Sequence, residues 1–315
     1  MGKVTRHVEG RTKEKRVAVR KALGPLKDLT VRPRTKVRYD NARQGFYSFL
    51  RTNHLELPSK RVDLDPLVSE YIEHLWSSGE GRSKANDTVA GLQDKDPLLR
   101  GSLPSSWRLL KTWSQNEIPS RAPPLPEVVV HAMAGRALMK NDLSFALSLL
   151  IGFYSLLRTG ELLGVSSQHI SLGGSSQVAV ISLGFTKGGQ RQGALESCTL
   201  GVVDVLQLLQ KWKKKNSPNT PLCPAPHKWR ALFSESLKAL GLEEFGFRPY
   251  SLRRGGATHW FRRHGSFDKL MIQGRWAAQK TAKIYINEGL AVLAETKVPM
   301  ASLKPFVTAY RNAIR

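Results

Sequence analysis

Arg248-Pro249-Tyr250-Ser251-Leu252-Arg253-Arg254-Gly255-Gly256-Ala257-Thr258 sets a phenol and two adjacent arginines immediately ahead of a pair of glycines. The pattern after Pro249 predicts a helix over 250–264, closed by Gly265, with Arg253 in its first turn. The free N–H groups of such a turn favour an anion. Small residues just after Arg253 let another stretch of backbone come close. A guanidinium is a planar, permanently charged fork that matches the non-bridging oxygens of a phosphodiester.

Downstream, Gly274-Arg275-Trp276 precedes Lys283-Ile284-Tyr285-Ile286, with Tyr285 nine residues past Trp276. Upstream, Leu156-Leu157-Arg158-Thr159-Gly160-Glu161-Leu162-Leu163 places Arg158 after an apolar helix, with Thr159 able to cap the next one. A buried guanidinium needs a partner, because an unpaired buried charge costs several kcal/mol. Phosphate is one partner for Arg158 and Glu161 is another, and both readings stand. Lys187, in Thr186-Lys187-Gly188-Gly189, ends a strand at a glycine-rich turn and can protonate a leaving oxygen. A lysine in that setting is usually only a solvated charge, and Arg191 competes for the role.

Lys and Arg outnumber Asp and Glu by 49 to 25, a formal charge of +24 with a sequence pI near 10.3. That excess points to a polyanionic partner, double-stranded DNA foremost. An anionic membrane would call for a basic amphipathic anchor or a lipidation signal, and the sequence offers neither. The apolar, uncharged stretch 143–157 has 15 residues, short of the ~20 of a membrane-spanning helix. With no secretory pattern at the start and two cysteines, Cys198 and Cys223, the chain reads as intracellular, with no disulfide framework and no metal site.

Residues 1–36 hold twelve Lys or Arg against three acids and predict a flexible basic arm, which can track phosphates, address a nucleus or simply be solvated. Apolar residues at helical spacing predict a helical domain over 37–117. Its second helix is expected to take Asp65 as cap and Pro66 at the first position. Four prolines in 118–126 predict a linker. Over 127–315 the pattern predicts helices at 126–139 and 142–157, then strands at 178–185 and 194–200 joined as a hairpin. Helices follow at 202–215, 227–240, 250–264, 267–274 and 279–296. The fold class is mainly α: an N-terminal helical bundle and an α+β domain with a small antiparallel sheet.

The ordered set Arg158 with Glu161, Lys187, Arg253, Trp276 and Tyr285 resembles the tyrosine recombinase (phage integrase) family over roughly residues 37–296. The family pattern is an Arg followed by a nearby acid, a hairpin Lys, a His-x-x-Arg box, a His or Trp, and a nucleophilic Tyr nine residues later. One position departs from it: the box here reads Tyr250-Ser251-Leu252-Arg253, with a phenol where the family has a histidine. A phenol donates a hydrogen bond well but, with a pKa near 10, is a poor base at neutral pH. His259 and His264, six and eleven residues past Arg253, read as ordinary helix histidines.

The resemblance implies a core-binding domain followed by a catalytic domain of the DNA breaking-rejoining type. It implies attack by Tyr285 on a scissile phosphate to give a 3′-phosphotyrosine, without ATP, metal or other cofactor. Arg158 and Arg253 would stabilise the phosphorus oxygens, Trp276 and Tyr250 would add hydrogen bonds, and Lys187 would protonate the leaving 5′ oxygen, with Glu161 behind Arg158. It also implies a homotetramer on DNA, a monomer being the alternative when free, located with the DNA and so in a nucleus if the cell has one. Charge and position nominate Arg38, Arg43, Arg108, Lys111, Arg191, Arg254 and Arg275 as DNA contacts. A type IB topoisomerase and a non-cutting DNA-binding protein of the same fold are the rival readings.

Overall fold

The computed structural model describes residues 12–173, 177–184, 186 and 195–314. Lys187 and Arg191 lie outside the described residues. The chain divides into two units, Met1–Ser120 and Arg121–Arg315, so the boundary falls inside the proline-rich stretch. Residues 121–126 are not a free linker: Leu125 is fully buried, and its N–H donates to the Ser251 carbonyl at 3.1 Å.

In the first unit α1 (Lys13–Leu23) occupies part of the expected arm. Thr12 caps it and none of its residues is buried, so local propensity rather than packing forms it. Four further helices follow: α2 (Pro33–Thr52), α3 (Leu64–Ser77), α4 (Arg82–Lys95) and α5 (Pro104–Asn116). Their apolar stripes meet in one core around Phe46, Val68, Ile72, Val89, Leu103 and Leu110.

Asp65 does not cap its own helix. It is 6% exposed, and its carboxylate accepts from the backbone N–H of Ser105 at 2.8 Å and of Ser106 at 2.9 Å, and from the Ser106 hydroxyl at 2.6 Å. One carboxylate thus terminates α5 from across the bundle, satisfying donors that the helix itself leaves open. Burial alone would raise its pKa, but the bonds from Ser106 and Ser105 hold it below the usual carboxylate range.

The second unit begins with α6 (Glu127–Met139) and α7 (Leu143–Tyr154). Every residue of α7 from Phe145 to Phe153 is buried, which makes it the axis of the core. The short α8 (Thr159–Leu162) has Arg158 rather than Thr159 at its N-cap. The sheet is antiparallel in the order β1 (Ile170–Leu172), β2 (Ala179–Gly184), β3 (Glu196–Leu200). In register, Ile181 lies opposite Ile170 on one side and Cys198 on the other.

Then come α9 (Val203–Lys215), α10 (Pro226–Ala239), α11 (Ser251–His264) and α12 (Phe267–Gly274). The helix expected over 279–296 is broken into α13 (Gln279–Lys283) and α14 (Glu288–Lys297), and Tyr285 sits in the break. The last helix, α15 (Met300–Ile314), packs on α6. The two backbones are so close that a Cβ on Gly135 would lie 1.8 Å from the Phe306 carbonyl oxygen. Among the described residues, no helix is long and apolar enough to cross a membrane.

Asp65→Ala should destabilise the first unit by about 1–3 kcal/mol, since it leaves two backbone donors and a hydroxyl without their acceptor. Urea unfolding checks this. Because the folded pKa is depressed, the contribution is complete above the unfolded value of about 3.9 and is lost as pH falls through the folded value. A wild-type-minus-variant stability difference that stays constant down to pH 2 would contradict the assignment.

Candidate active site

The site is built on α11. Gly255 and Gly256 let this helix sit against other backbone: a Cβ at either would lie 2.0 Å from a carbonyl oxygen, that of Leu125 for Gly255 and of Phe153 for Gly256. Such contact seats the first turn of α11 against the end of α7. There Leu156 takes a left-handed conformation, φ +50°, that turns the chain out of the helix.

Arg253 is 1% exposed. Its Nη1 donates to the Leu156 carbonyl oxygen, and its Nη2 donates to the Gly274 carbonyl at 2.6 Å. The guanidinium carbon lies 4.7 Å from the centroid of Trp276 and 5.2 Å from that of Tyr285. Burial, with Arg158 and Arg275 nearby, lowers its pKa to about 10, still well above neutrality. Trp276 and Tyr285 are themselves buried, with ring centroids 4.7 Å apart. They belong to a small apolar cluster with Leu156, Ala257, Leu270 and Ala282.

The Tyr285 hydroxyl is hydrogen-bonded to the hydroxyl of Tyr250, the residue just ahead of α11. Burial, and then the bond to Tyr285, push Tyr250 above the ordinary phenol range. It therefore keeps its proton through neutral pH. Neither helix histidine reaches this spot: His259 Nε2 lies 3.5 Å from Glu127 Oε1, and His264 stacks on Trp260.

Arg158 is the most accessible of the site arginines, its side chain 32% exposed. Its Nη1 donates to Glu161 Oε1 at 2.5 Å, and its backbone N–H donates to Glu161 Oε2 at 2.9 Å. The ion pair therefore exists, while open surface remains on the guanidinium. Burial would lower the Arg158 pKa, but the bond and charge of Glu161 raise it overall. Glu161 is held below the usual carboxylate range despite its burial, first by Arg275 and then by Arg158.

The candidate DNA contacts divide. Arg108 and Lys111 are exposed on α5. On α2, Arg38 is exposed but forked onto Asp87, with Nε 2.9 Å from Oδ2, and Arg43 is paired with Asp40. Arg254 and Arg275 differ from the others in that their side chains are buried. Arg254 is 2% exposed, and burial followed by the charge of Arg121 lowers its pKa. Arg275 has a side chain 7% exposed and spends it on carboxylates within the unit. Those carboxylates include Glu196, a buried acid that the sequence reading missed; only its place in the sheet brings it here.

No family model matches the sequence, and no curated protein matches it closely enough to count. Solved structures do match. The Tn1549 transposon integrase in complex with transposon right-end DNA aligns with 85% of this chain and 94% of its own, at TM-score 0.58 and 13% identity. The same integrase with circular-intermediate DNA gives TM-score 0.57 at 12% identity, again over 85% and 94%. The XerH site-specific recombinase in a post-cleavage complex aligns over 77% of this chain and 71% of its own, at TM-score 0.50 and 13% identity.

Gly256→Ala should cost about 1–3 kcal/mol or more, because its new methyl meets backbone rather than a movable side chain. Thermal unfolding measures it, and an unchanged midpoint would contradict the packing described. Taken with the mainly helical architecture and the three-stranded sheet, these likenesses identify the chain's fold as that of the tyrosine recombinases and integrases.

Proposed function

We propose that this chain is a DNA strand transferase of the tyrosine recombinase type, cutting and rejoining DNA through Tyr285. One observation carries the reading: Arg253, Trp276, Tyr285 and Tyr250, drawn from three separate segments, come together, with the Arg253 guanidinium and the Trp276 ring against the Tyr285 ring, the Tyr250 hydroxyl on its oxygen and the charge of Arg158 beside them. Among the described residues, Arg253 Nε and Trp276 Nε1 are buried donors with no hydrogen-bond partner. Buried donors of that kind are costly and call for a reason, and an anion received at this place supplies one.

In the proposed reaction Tyr285 gives up its hydroxyl proton to solvent as its oxygen attacks the scissile phosphorus, and the bond to the 5′ oxygen breaks. The products are a 3′-phosphotyrosine and a 5′-hydroxyl. Arg158 and Arg253 hold the non-bridging oxygens as charge builds on them, a term that commonly dominates such catalysis. Lys187 would protonate the leaving oxygen, a role taken from the family resemblance. The ester conserves the bond energy, so a second 5′-hydroxyl can reverse the attack without ATP. Exchange between two duplexes needs four cuts and hence four protomers on the DNA, in whatever compartment holds it. Arg38, Arg43, Arg108 and Lys111 are the proposed backbone contacts.

Tyr250 takes a different part from the histidine it replaces. As a phenol that keeps its proton it is a donor, and it donates to the developing phenolate of Tyr285. The second reading, a protein of this fold that binds DNA without cutting, rests on the same residue, since among the described residues no general base touches Tyr285.

A nicked suicide duplex separates the two. Wild-type protein should become covalently attached to the DNA, and Tyr285→Phe should not; failure of the wild type on its cognate site favours binding alone. Tyr250→Phe should slow attachment by about 10–100-fold, a typical effect of removing one donor aimed at developing charge. DNA affinity should be unchanged. Attachment at the wild-type rate would remove Tyr250 from the mechanism.

A further inference from the structure

Arg275 lies just past α12 with φ +55° and ψ +48°, a left-handed conformation that favours glycine, at the helix-end position where glycine is the usual residue. A side chain here works against its own backbone, so its retention asks for a compensating contact. That contact is two buried carboxylates. Arg275 Nη2 lies 2.8 Å from Glu161 Oε2, Nε lies 3.6 Å from Glu196 Oε2, and Nη1 donates to the Gln273 carbonyl at 3.4 Å.

Both carboxylates also face Arg158: Glu161 Oε1 at 2.5 Å and Glu196 Oε2 at 4.0 Å. Glu196 accepts in addition from the Thr186 hydroxyl. The four charged groups, two arginines and two glutamates, sum to zero. Without Arg275 the two acids would face Arg158 alone, and the negative charge left on this group would cancel that of Arg253 at the place where a phosphate has to sit. Each acid would then draw on the guanidinium that the phosphate needs.

We propose that Arg275 is a positioning residue for strand cleavage: by engaging Glu161 and Glu196 it fixes Glu161 behind Arg158 and leaves the Arg158 charge available to the scissile phosphate. This rests on the function proposed above. It replaces the direct DNA contact that the sequence suggested for Arg275. The same chemistry makes Glu196 a partner in the arrangement, oriented by Thr186.

The test compares wild type, Arg275→Gly, Arg275→Lys and the double variant Arg275→Gly/Glu196→Gln on a suicide duplex. Each is assayed with a normal scissile phosphodiester and with a methylphosphonate, which carries no charge there. Glycine suits the left-handed backbone and offsets part of the cost of leaving the two carboxylates short of a partner, so Arg275→Gly should still unfold cooperatively, at a midpoint below that of the wild type but above the assay temperature. It should cleave the phosphodiester at least tenfold more slowly while binding DNA with an affinity within about twofold of wild type. On the methylphosphonate, where less charge builds on the phosphoryl oxygens, the defect should shrink to threefold or less. The double variant restores the charge balance and should recover most of the lost rate. Arg275→Lys keeps the charge without the fork and should fall between.

A purely structural role predicts equal losses on both substrates and no rescue, and either result overturns the proposal, as does cleavage by Arg275→Gly within threefold of wild type. If the wild type itself fails to attach to either duplex, the function it rests on fails first, and the inference falls with it.

Discussion

The Arg253 guanidinium is held by two carbonyl oxygens, those of Leu156 and Gly274, and by the faces of Trp276 and Tyr285; among the described residues no carboxylate approaches it within salt-bridge distance. A cation buried without an anion is expensive, and carbonyl dipoles and ring quadrupoles offset only part of that cost. Burial and two neighbouring arginines lower its pKa to about 10, which leaves the group charged at neutral pH. A site in this condition favours an incoming anion, and the surrounding fold has to keep it assembled meanwhile.

Backbone contact keeps it assembled. Gly255 and Gly256 bring α11 onto the carbonyls of Leu125 and Phe153, and the left-handed turn at Leu156 aims a carbonyl at Arg253 from the end of the most buried helix. The turn at Arg275 ends α12 beside the Gly274 carbonyl and delivers Trp276 to the cluster. Breaking the helix after Lys283 leaves Tyr285 where its ring meets Trp276 and its hydroxyl meets Tyr250. Arg158 differs in kind, since it keeps an open side beside a paired one. In the proposed reaction the two arginines would divide the work of one phosphate, one buried against carbonyls and the other paired and reachable.

Much of this was legible in the residues. Helical spacing located most of the helices, the Val and Ile run located the hairpin, and the order of Arg158, Arg253, Trp276 and Tyr285 pointed to one site. What escaped depends on tertiary partners. Asp65 looked like a local cap but serves α5, because a carboxylate two residues into a helix faces whatever packs there. Arg254 and Arg275 looked like surface charge, since sequence gives the sign of a group but not its burial or its distant partners; Glu161 and Glu196 lie far from Arg275 along the chain. The three-residue β1 is too short to show a period, and the break around Tyr285 follows no proline or glycine.

The central claim is that the Tyr285 oxygen, and no other, is the atom this site presents to a phosphorus. Mass spectrometry of tryptic peptides from protein trapped on a suicide duplex addresses it directly, because Lys283 and Lys297 bound a peptide, 284–297, that contains Tyr285 and excludes Tyr250. The account predicts that the nucleotide remnant is found on Tyr285 in that peptide. A remnant on Tyr250, or on any residue outside 284–297, would contradict it.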